Sequence, residues 1–304
     1  MRAVLAGVER TTPVVLGVSG GADSLALAAC AAFVARADAR PVQAVVVDHG
    51  LQDGSGAVAE RAAATVEGLG LAAHVRPVQV QGLGGPEARA RRARRAALSE
   101  AAGPDGVVLL AHTLDDQAET VLLGLARGSG PRSLAGMRAV DGPWRRPFLG
   151  LRRADTEAVC AAHGLNWWDD PHNRDPAVRR SRVRHEALPL LEDVLGGGVR
   201  EALARTADLV RDDADALDAA ASLVRDPADV RVLAALAPAL RSRLLRRLAL
   251  EAGAAAGELG AVHVRALETL VTDWHGQERV ELPGGVAVRR DGVRLVMVPG
   301  PVAG

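Results

Sequence analysis

Six consecutive residues, Ser19-Gly20-Gly21-Ala22-Asp23-Ser24, carry the first chemistry in the chain. They follow the apolar run Val14–Val18 and precede an apolar, helix-like pattern. Backbone amides in such a turn, opening onto a helix N-terminus, make a concave anion site, and two glycines let the chain approach an oxyanion closely. Ser19 and Ser24 add hydroxyls, while Asp23 is suited to hold Mg²⁺ or water on a pyrophosphate. Neither G-x-x-x-x-G-K-[ST] nor G-x-G-x-x-G is present, and the chain has no lysine, so P-loop and Schiff-base lysine chemistry are excluded. A second group, His112 with Asp115, Asp116 and Glu119, supplies a histidine and three carboxylates for proton transfer, metal binding or an ammonium ligand. Asp115 and Glu119 stand at i,i+4; by themselves such acids equally complement a helix dipole.

The elements that must position these residues follow from apolar periodicity. Buried-strand runs recur at Val14–Val18, Ala44–Val47 and Val107–Leu110, with a weaker one at Ala73–Val75. Helical patterns lie between them at Ser24–Ala35, Val58–Leu69 and Pro86–Ala102, and another starts near Asp115. This alternation predicts βαβ crossovers and an α/β fold with a doubly wound parallel sheet. Ser19–Ser24, Asp48-His49 and His112 with Asp115-Asp116 then fall at three strand ends, where such sheets bind ligands. A helix over Ala154–His163 precedes a polar, Pro-interrupted stretch. The triplet Gly196-Gly197-Gly198 is the clearest break, which divides the chain into 1–195 and a smaller, mostly helical α+β domain, 196–304. Helices are expected at Val199–Val224 and Pro227–Ala252, then a hairpin with turns at Pro283-Gly284-Gly285 and Asp291-Gly292.

Composition narrows the class. With 48% hydrophobic and 24% charged residues the chain reads as a soluble globular protein. Cys30 and Cys160 form no C-x-x-C, which points to buried thiols in a reducing cytoplasm. No apolar run is long enough to span a bilayer, and a cytoplasmic, non-membrane protein is expected. The net charge is zero, yet Arg89, Arg91, Arg92, Arg94 and Arg95 cluster, as do Arg179, Arg180, Arg182 and Arg184. Each cluster is a solvated helix face or a surface for a polyanion.

The hexapeptide resembles the pyrophosphate loop of the N-type ATP pyrophosphatases at every fixed position. The larger pattern resembles the tRNA(Ile)-lysidine synthetases. Their AH-x-x-DDQ-x-ET-x-LL-x-x-x-RG-x-G run is matched by Ala111, His112, Asp115, Asp116, Gln117, Glu119, Thr120, Leu122, Leu123, Arg127, Gly128 and Gly130. Their DP-x-N-x-D run is matched by Asp170, Pro171, Asn173 and Asp175, and their E-A-x-A-R-x-A-R-Y segment by Glu87, Ala88, Ala90, Arg91, Ala93 and Arg94. Arg95 replaces the tyrosine of that segment, Thr113 a second histidine, and Ser181 an asparagine. The likeness is tight over about the first 190 residues.

The resemblance implies an adenine-nucleotide α-hydrolase-like fold followed by a tRNA-binding part. It implies the substrates ATP, free L-lysine and a tRNA(Ile) with a CAU anticodon, with Mg²⁺ as cofactor. The wobble cytidine would be adenylated with loss of pyrophosphate, and lysine would then displace AMP to leave lysidine. On this likeness Asp23, His112, Asp115, Asp116 and Glu119 are the catalytic candidates, with Asp23 and Asp116 also the metal candidates. Ser19, Gly20, Gly21, Ala22, Asp23, Ser24, Asp48 and His49 would bind ATP, and Arg91, Arg94, Arg127, Arg180 and Arg184 the tRNA or adenylate. Arg241, Arg243, Arg246 and Arg247 form a candidate basic stripe. His49 is as readily a structural hydrogen-bonder. Trp144, Trp167 and Trp168 either stack on a base or anchor the core, with two of the three expected in the core. Oligomeric state is open, a homodimer included. A tRNA thiolase and a non-catalytic nucleotide sensor are the competing readings.

Overall fold

The computed structural model describes residues 1–50, 54–81, 85–128, 130–171 and 175–300. The chain divides into two compact units, one of Met1–Leu123 with Gly136–Ala204 and one of Gly124–Ala135 with Arg205–Gly304.

The first unit contains β1 (Val14–Val18), α1 (Ala22–Asp38), β2 (Val42–Asp48), α2 (Ser55–Gly68), β3 (Ala72–Pro77), α3 (Pro86–Ala102), β4 (Val107–Leu109) and most of α4 (Leu114–Arg127). The chain then runs through the short α5 (Pro131–Leu134) to β5 (Val140–Asp141) and β6 (Trp144–Arg145). After α6 (Arg153–Ala162) come α7 (Arg179–Arg182), a π-helical turn (Val183–Ala187), α8 (Leu188–Val194) and the start of α9 (Val199–Ser222). The sheet order is β3-β2-β1-β4-β6-β5, parallel throughout except for the edge strand β5. The expected doubly wound parallel sheet is therefore the observed fold. The β5–β6 hairpin was not foreseen, since two-residue strands carry no periodicity.

Residue alternation on the strands explains the layers. Val14, Leu16, Val18, Ala44, Val46 and Leu109 face one way, onto the alanine-rich α1, α2 and Cys160 of α6. Val15, Val45, Val108 and Leu110 face the other way, onto Leu98 and Ala102 of α3 and Trp144. Gly17 suits that second face, because a Cβ there would lie 3.0 Å from the Leu98 and Leu110 methyl groups, which would have to give way. Order reverses between β1 and β4, and the crevice beyond their carboxyl ends is the ligand position of such sheets.

In the second unit α10 (Val230–Ala235), α11 (Pro238–Glu251) and α12 (Ala261–Thr272) pack on an antiparallel sheet of β7 (Val280–Leu282), β8 (Val286–Asp291) and β9 (Arg294–Pro299). Its core is Leu233, Leu244, Leu245, Leu267, Leu270, Val288 and Leu295. The single helix expected over Pro227–Ala252 is two. Ala237 is held extended, at ψ 144°, by the following Pro238, which opens α11. The basic stripe on α11 is also largely spent internally. Buried Arg241 donates to Glu268 and to the carbonyl of Leu236, while Arg243 pairs with Asp218 at 3.0 Å. No described helix is long and apolar enough to cross a membrane.

Candidate active site at the carboxyl edge of the sheet

The glycine turn is ordered by its own serines. Buried Ser24 accepts from the Ser19 amide at 3.2 Å and donates to the Gly21 carbonyl at 2.9 Å. Gly20 has φ +82°, and a Cβ there would sit 3.2 Å from the Ala62 methyl group, so glycine is needed for conformation and for space. The Trp168 amide donates to the Gly20 carbonyl at 3.0 Å, tying the Pro-interrupted stretch to the turn. Asp23, in the first turn of α1, has both carboxylate oxygens engaged. Thr156 donates to Oδ1 at 2.5 Å, and an Arg153 guanidinium nitrogen stands 3.0 Å from Oδ2. Burial raises the Asp23 carboxyl above its ordinary range against the opposing pull of Arg153 and Thr156.

On α4 the three carboxylates separate. Asp115 accepts from the Arg153 backbone amide at 2.9 Å, with Arg200 also 2.9 Å away. Asp116 and the fully buried Glu119 instead share two arginines from the end of the first unit. Arg180 donates to Glu119 at 2.7 Å; Arg184 donates to Glu119 at 2.5 Å and to Asp116 at 3.0 Å. Arg184 projects from the π-helical turn, a distortion that frequently marks functional sites. Burial works to raise the Asp116 carboxyl, but Arg180, the Thr113 amide and Arg184 together hold it below the usual carboxylate range. The expected i,i+4 pairing of Asp115 with Glu119 is thus replaced by Asp116 with Glu119. The arginine cluster is only partly a solvated face: Arg182 pairs with Glu186 outside, while Arg180 and Arg184 turn inward.

His112 lies in the segment between β4 and α4, beside this cluster. Burial, opposed by Asp116 and reinforced by Arg94, Arg146 and Arg180, lowers it to about 3, so the ring is neutral at any working pH. Its Nδ1 is buried without a hydrogen-bond partner among the described residues, as is Nδ1 of His49. Burial and Arg94 also lower His49. Asp48 is held low by Ser55 and by the Gly50 amide, which donates at 3.0 Å. Arg94 reaches in from α3 to the Gly17 carbonyl at 3.4 Å, and burial lowers its pKa. Arg91 is exposed on α3, and Arg127 is exposed in the second unit. Asn173 lies outside the described residues, as does the Glu87 side chain. Trp144 is buried under the Arg95 guanidinium, 4.1 Å above its ring, whereas Trp167 and Trp168 line a cavity of about 350 Å³ with Gly21, Arg153 and Arg184. One tryptophan of the three is therefore core.

Arg153 and Thr156 were not anticipated. Their only sequence signal is the pair Arg152-Arg153 opening α6, which by itself reads as a helix terminus. Among the described residues no group of three or more His, Cys, Asp or Glu is placed to hold a metal ion. Mg²⁺ needs fewer protein ligands, because it keeps waters and takes phosphate oxygens alongside one or two carboxylates. Asp23 and Asp116, both within 3.9 Å of one Arg153 nitrogen, fit that requirement.

Comparison with known proteins agrees with this arrangement. Residues 3–191 match the model of the PP-loop domain, and residues 229–295 that of the TilS substrate binding domain. A tRNA(Ile)-lysidine synthase of Streptomyces coelicolor is 54% identical over 304 residues, covering 95% of this chain and 86% of the relative. One of Thermobifida fusca is 51% identical, covering 98% and 95%. Among solved structures, a U34-tRNA thiolase of Methanococcus maripaludis with its [4Fe-4S] cluster superposes with a TM-score of 0.54. It is 18% identical and covers 69% of this chain and 78% of its own, a likeness of fold.

Proposed function

The chain belongs to the tRNA(Ile)-lysidine synthase family, and we propose that it joins free L-lysine to carbon 2 of the wobble cytidine in a CAU-anticodon tRNA(Ile), consuming ATP. The cytidine 2-oxygen attacks the α-phosphate and expels pyrophosphate. The ε-amine, having lost a proton, then attacks carbon 2 and expels AMP. The observation that carries this reading is the cluster at the β1–β4 switch point, where Arg153, Arg180 and Arg184 join Asp23, Asp116 and Glu119 next to the glycine turn.

In this reading Ser19–Ser24 receive the β- and γ-phosphates through turn amides and hydroxyls, and Asp48 and His49 border the nucleotide. Arg180 and Arg184, immobilised by Glu119, form a preset cationic wall for the adenylate phosphate, and Arg94 extends it. His112, neutral, orients the cytosine through hydrogen bonding. Asp115 and Asp116 are the remaining carboxylates for an ammonium or metal. Asp23 and Asp116 would hold Mg²⁺, which supplies charge neutralisation for the departing pyrophosphate. Residues 1–195 act as the catalytic part. Residues 196–304 act as the tRNA-binding part, to which Arg127 contributes across the sequence. A homodimer and a cytoplasmic location belong to the same reading.

The test is pyrophosphate release from ATP with Mg²⁺ and radiolabelled lysine, with and without unmodified CAU-anticodon tRNA(Ile). Release that depends on the tRNA, with label entering the RNA, is expected. Release without label in the RNA would move the acceptor chemistry elsewhere, toward a thiolase-type reaction.

A further inference from the structure

The charge between Asp23 and Asp116 is already occupied by part of the protein. One Arg153 nitrogen lies 3.0 Å from Asp23 Oδ2 and 3.9 Å from Asp116 Oδ1. It stands against both of the carboxylates that would hold a divalent cation. The backbone that carries it is anchored: the Arg153 amide donates to Asp115, and Thr156, one turn on, donates both to the Arg153 carbonyl at 2.7 Å and to Asp23. The guanidinium itself is less constrained. The Arg153 side chain is 32% exposed and borders the cavity of about 350 Å³ that also reaches Gly21, Ala22 and Arg184. It therefore has somewhere to go, on the phosphate side of the glycine turn.

We propose that Arg153 is a positioning residue that serves as a resident counter-ion, holding the Asp23–Asp116 pair in place of a divalent metal until a nucleotide polyphosphate draws the guanidinium away. A cation bound to Asp23 and the guanidinium 3.0 Å from the same carboxylate repel each other, so either one excludes the other. An arriving polyphosphate changes the balance. It brings oxygen ligands to the metal and offers Arg153 a new anion in bidentate geometry. Metal and nucleotide binding become coupled: each strengthens the other, and the free protein carries little metal. Arg153 acts through the carboxylates, while the glycine turn grips the phosphates.

This inference rests on the assignment of Asp23 and Asp116 as metal carboxylates in the proposed function. Its test contains neither tRNA nor lysine, so the two can fail separately. The full chain is titrated with Mn²⁺, free Mn²⁺ being read by electron paramagnetic resonance, and Mg²⁺ is added as competitor. Wild type without nucleotide is expected to bind weakly. Arg153→Gln is expected to bind at least about tenfold more tightly, Arg153→Lys to stay near wild type, and Asp23→Asn in the Arg153→Gln background to bind weakly again. A non-hydrolysable ATP analogue should tighten Mn²⁺ binding to wild type and do so much less for Arg153→Gln. Equal affinity of wild type and Arg153→Gln, or tight nucleotide-free binding by wild type, overturns the proposal. Should thermal melting show Arg153→Gln to be unfolded, the wild-type comparison decides: Mn²⁺ affinity unmoved by the analogue overturns it as well. A preserved metal effect with no lysine entering tRNA would sink the function and leave Arg153's role standing.

Discussion

His112 offers a sharp test of the site's electrostatics through folding stability. Its imidazole is lowered from an ordinary 6.5 to about 3, first by burial and then by the arginines around it, with Asp116 opposing. The folded state thus refuses a proton that the unfolded chain accepts below about pH 6.5. Stability rises with pH wherever the unfolded state binds more protons, so the stability this group confers is complete above 6.5 and is lost as pH falls toward 3. At about pH 5 the unfolded chain is favoured by about 1.5 pH units at about 1.4 kcal/mol each, about 2 kcal/mol in all. Any folded value of about 4 or below gives the same cost at that pH. His112→Gln keeps a polar side chain and removes the titration. Urea unfolding of both proteins at about pH 7.5 and about pH 5 should show wild type losing about 2 kcal/mol more than the variant. His49, also lowered by burial, is common to both and cancels. Asp116, held below the usual carboxylate range by Arg180 and Arg184, keeps its charge across this window. Parallel losses in the two proteins would refute the claim that His112 is buried neutral among arginines. With that would go its role as a neutral hydrogen-bonder to the cytosine.

Glu119→Gln should destabilise the first unit by about 3 kcal/mol or more in urea unfolding, because it leaves Arg180 and Arg184 facing each other with only Asp116 between them. Gly124→Ala should lower the melting temperature, at a cost of about 1–3 kcal/mol, since the new Cβ would meet the Ser133 carbonyl oxygen at 2.1 Å; an unchanged melting curve would show that α5 gives way freely. Arg127→Gln should weaken tRNA binding and flatten the dependence of log affinity on log salt by about one unit, as loss of one phosphate contact does; an unchanged slope would remove Arg127 from the RNA surface.

Much of the fold could be read from local chemistry. Val14–Val18, followed by two glycines and an apolar helix, specifies strand, anion-binding turn and helix, because each step depends on neighbours within a few residues. The same holds for Val107–Leu109 leading into α4, whereas the strand order that brings the two turns together joins strands far apart in the sequence and is read only from the structure. The family motifs extended this over about the first 190 residues, and the PP-loop domain model matches residues 3–191. The second unit was less legible. Its helices are uniformly rich in Ala, Leu and Arg, so periodicity ran straight through the break at Ala237–Pro238 and missed α12.

By itself, then, the sequence determined the parallel α/β scaffold, the anion-binding turn at Ser19–Ser24 and the set of carboxylates and arginines available to the site. Tertiary structure alone decided how those charges pair. It turned Asp115 toward Arg200, gave Asp116 and Glu119 to Arg180 and Arg184, and set Arg153 against Asp23. A local pattern says which side chains share a helix face. Which charge meets which depends on residues tens of positions away, brought together because buried carboxylates and guanidiniums must neutralise one another where water is excluded.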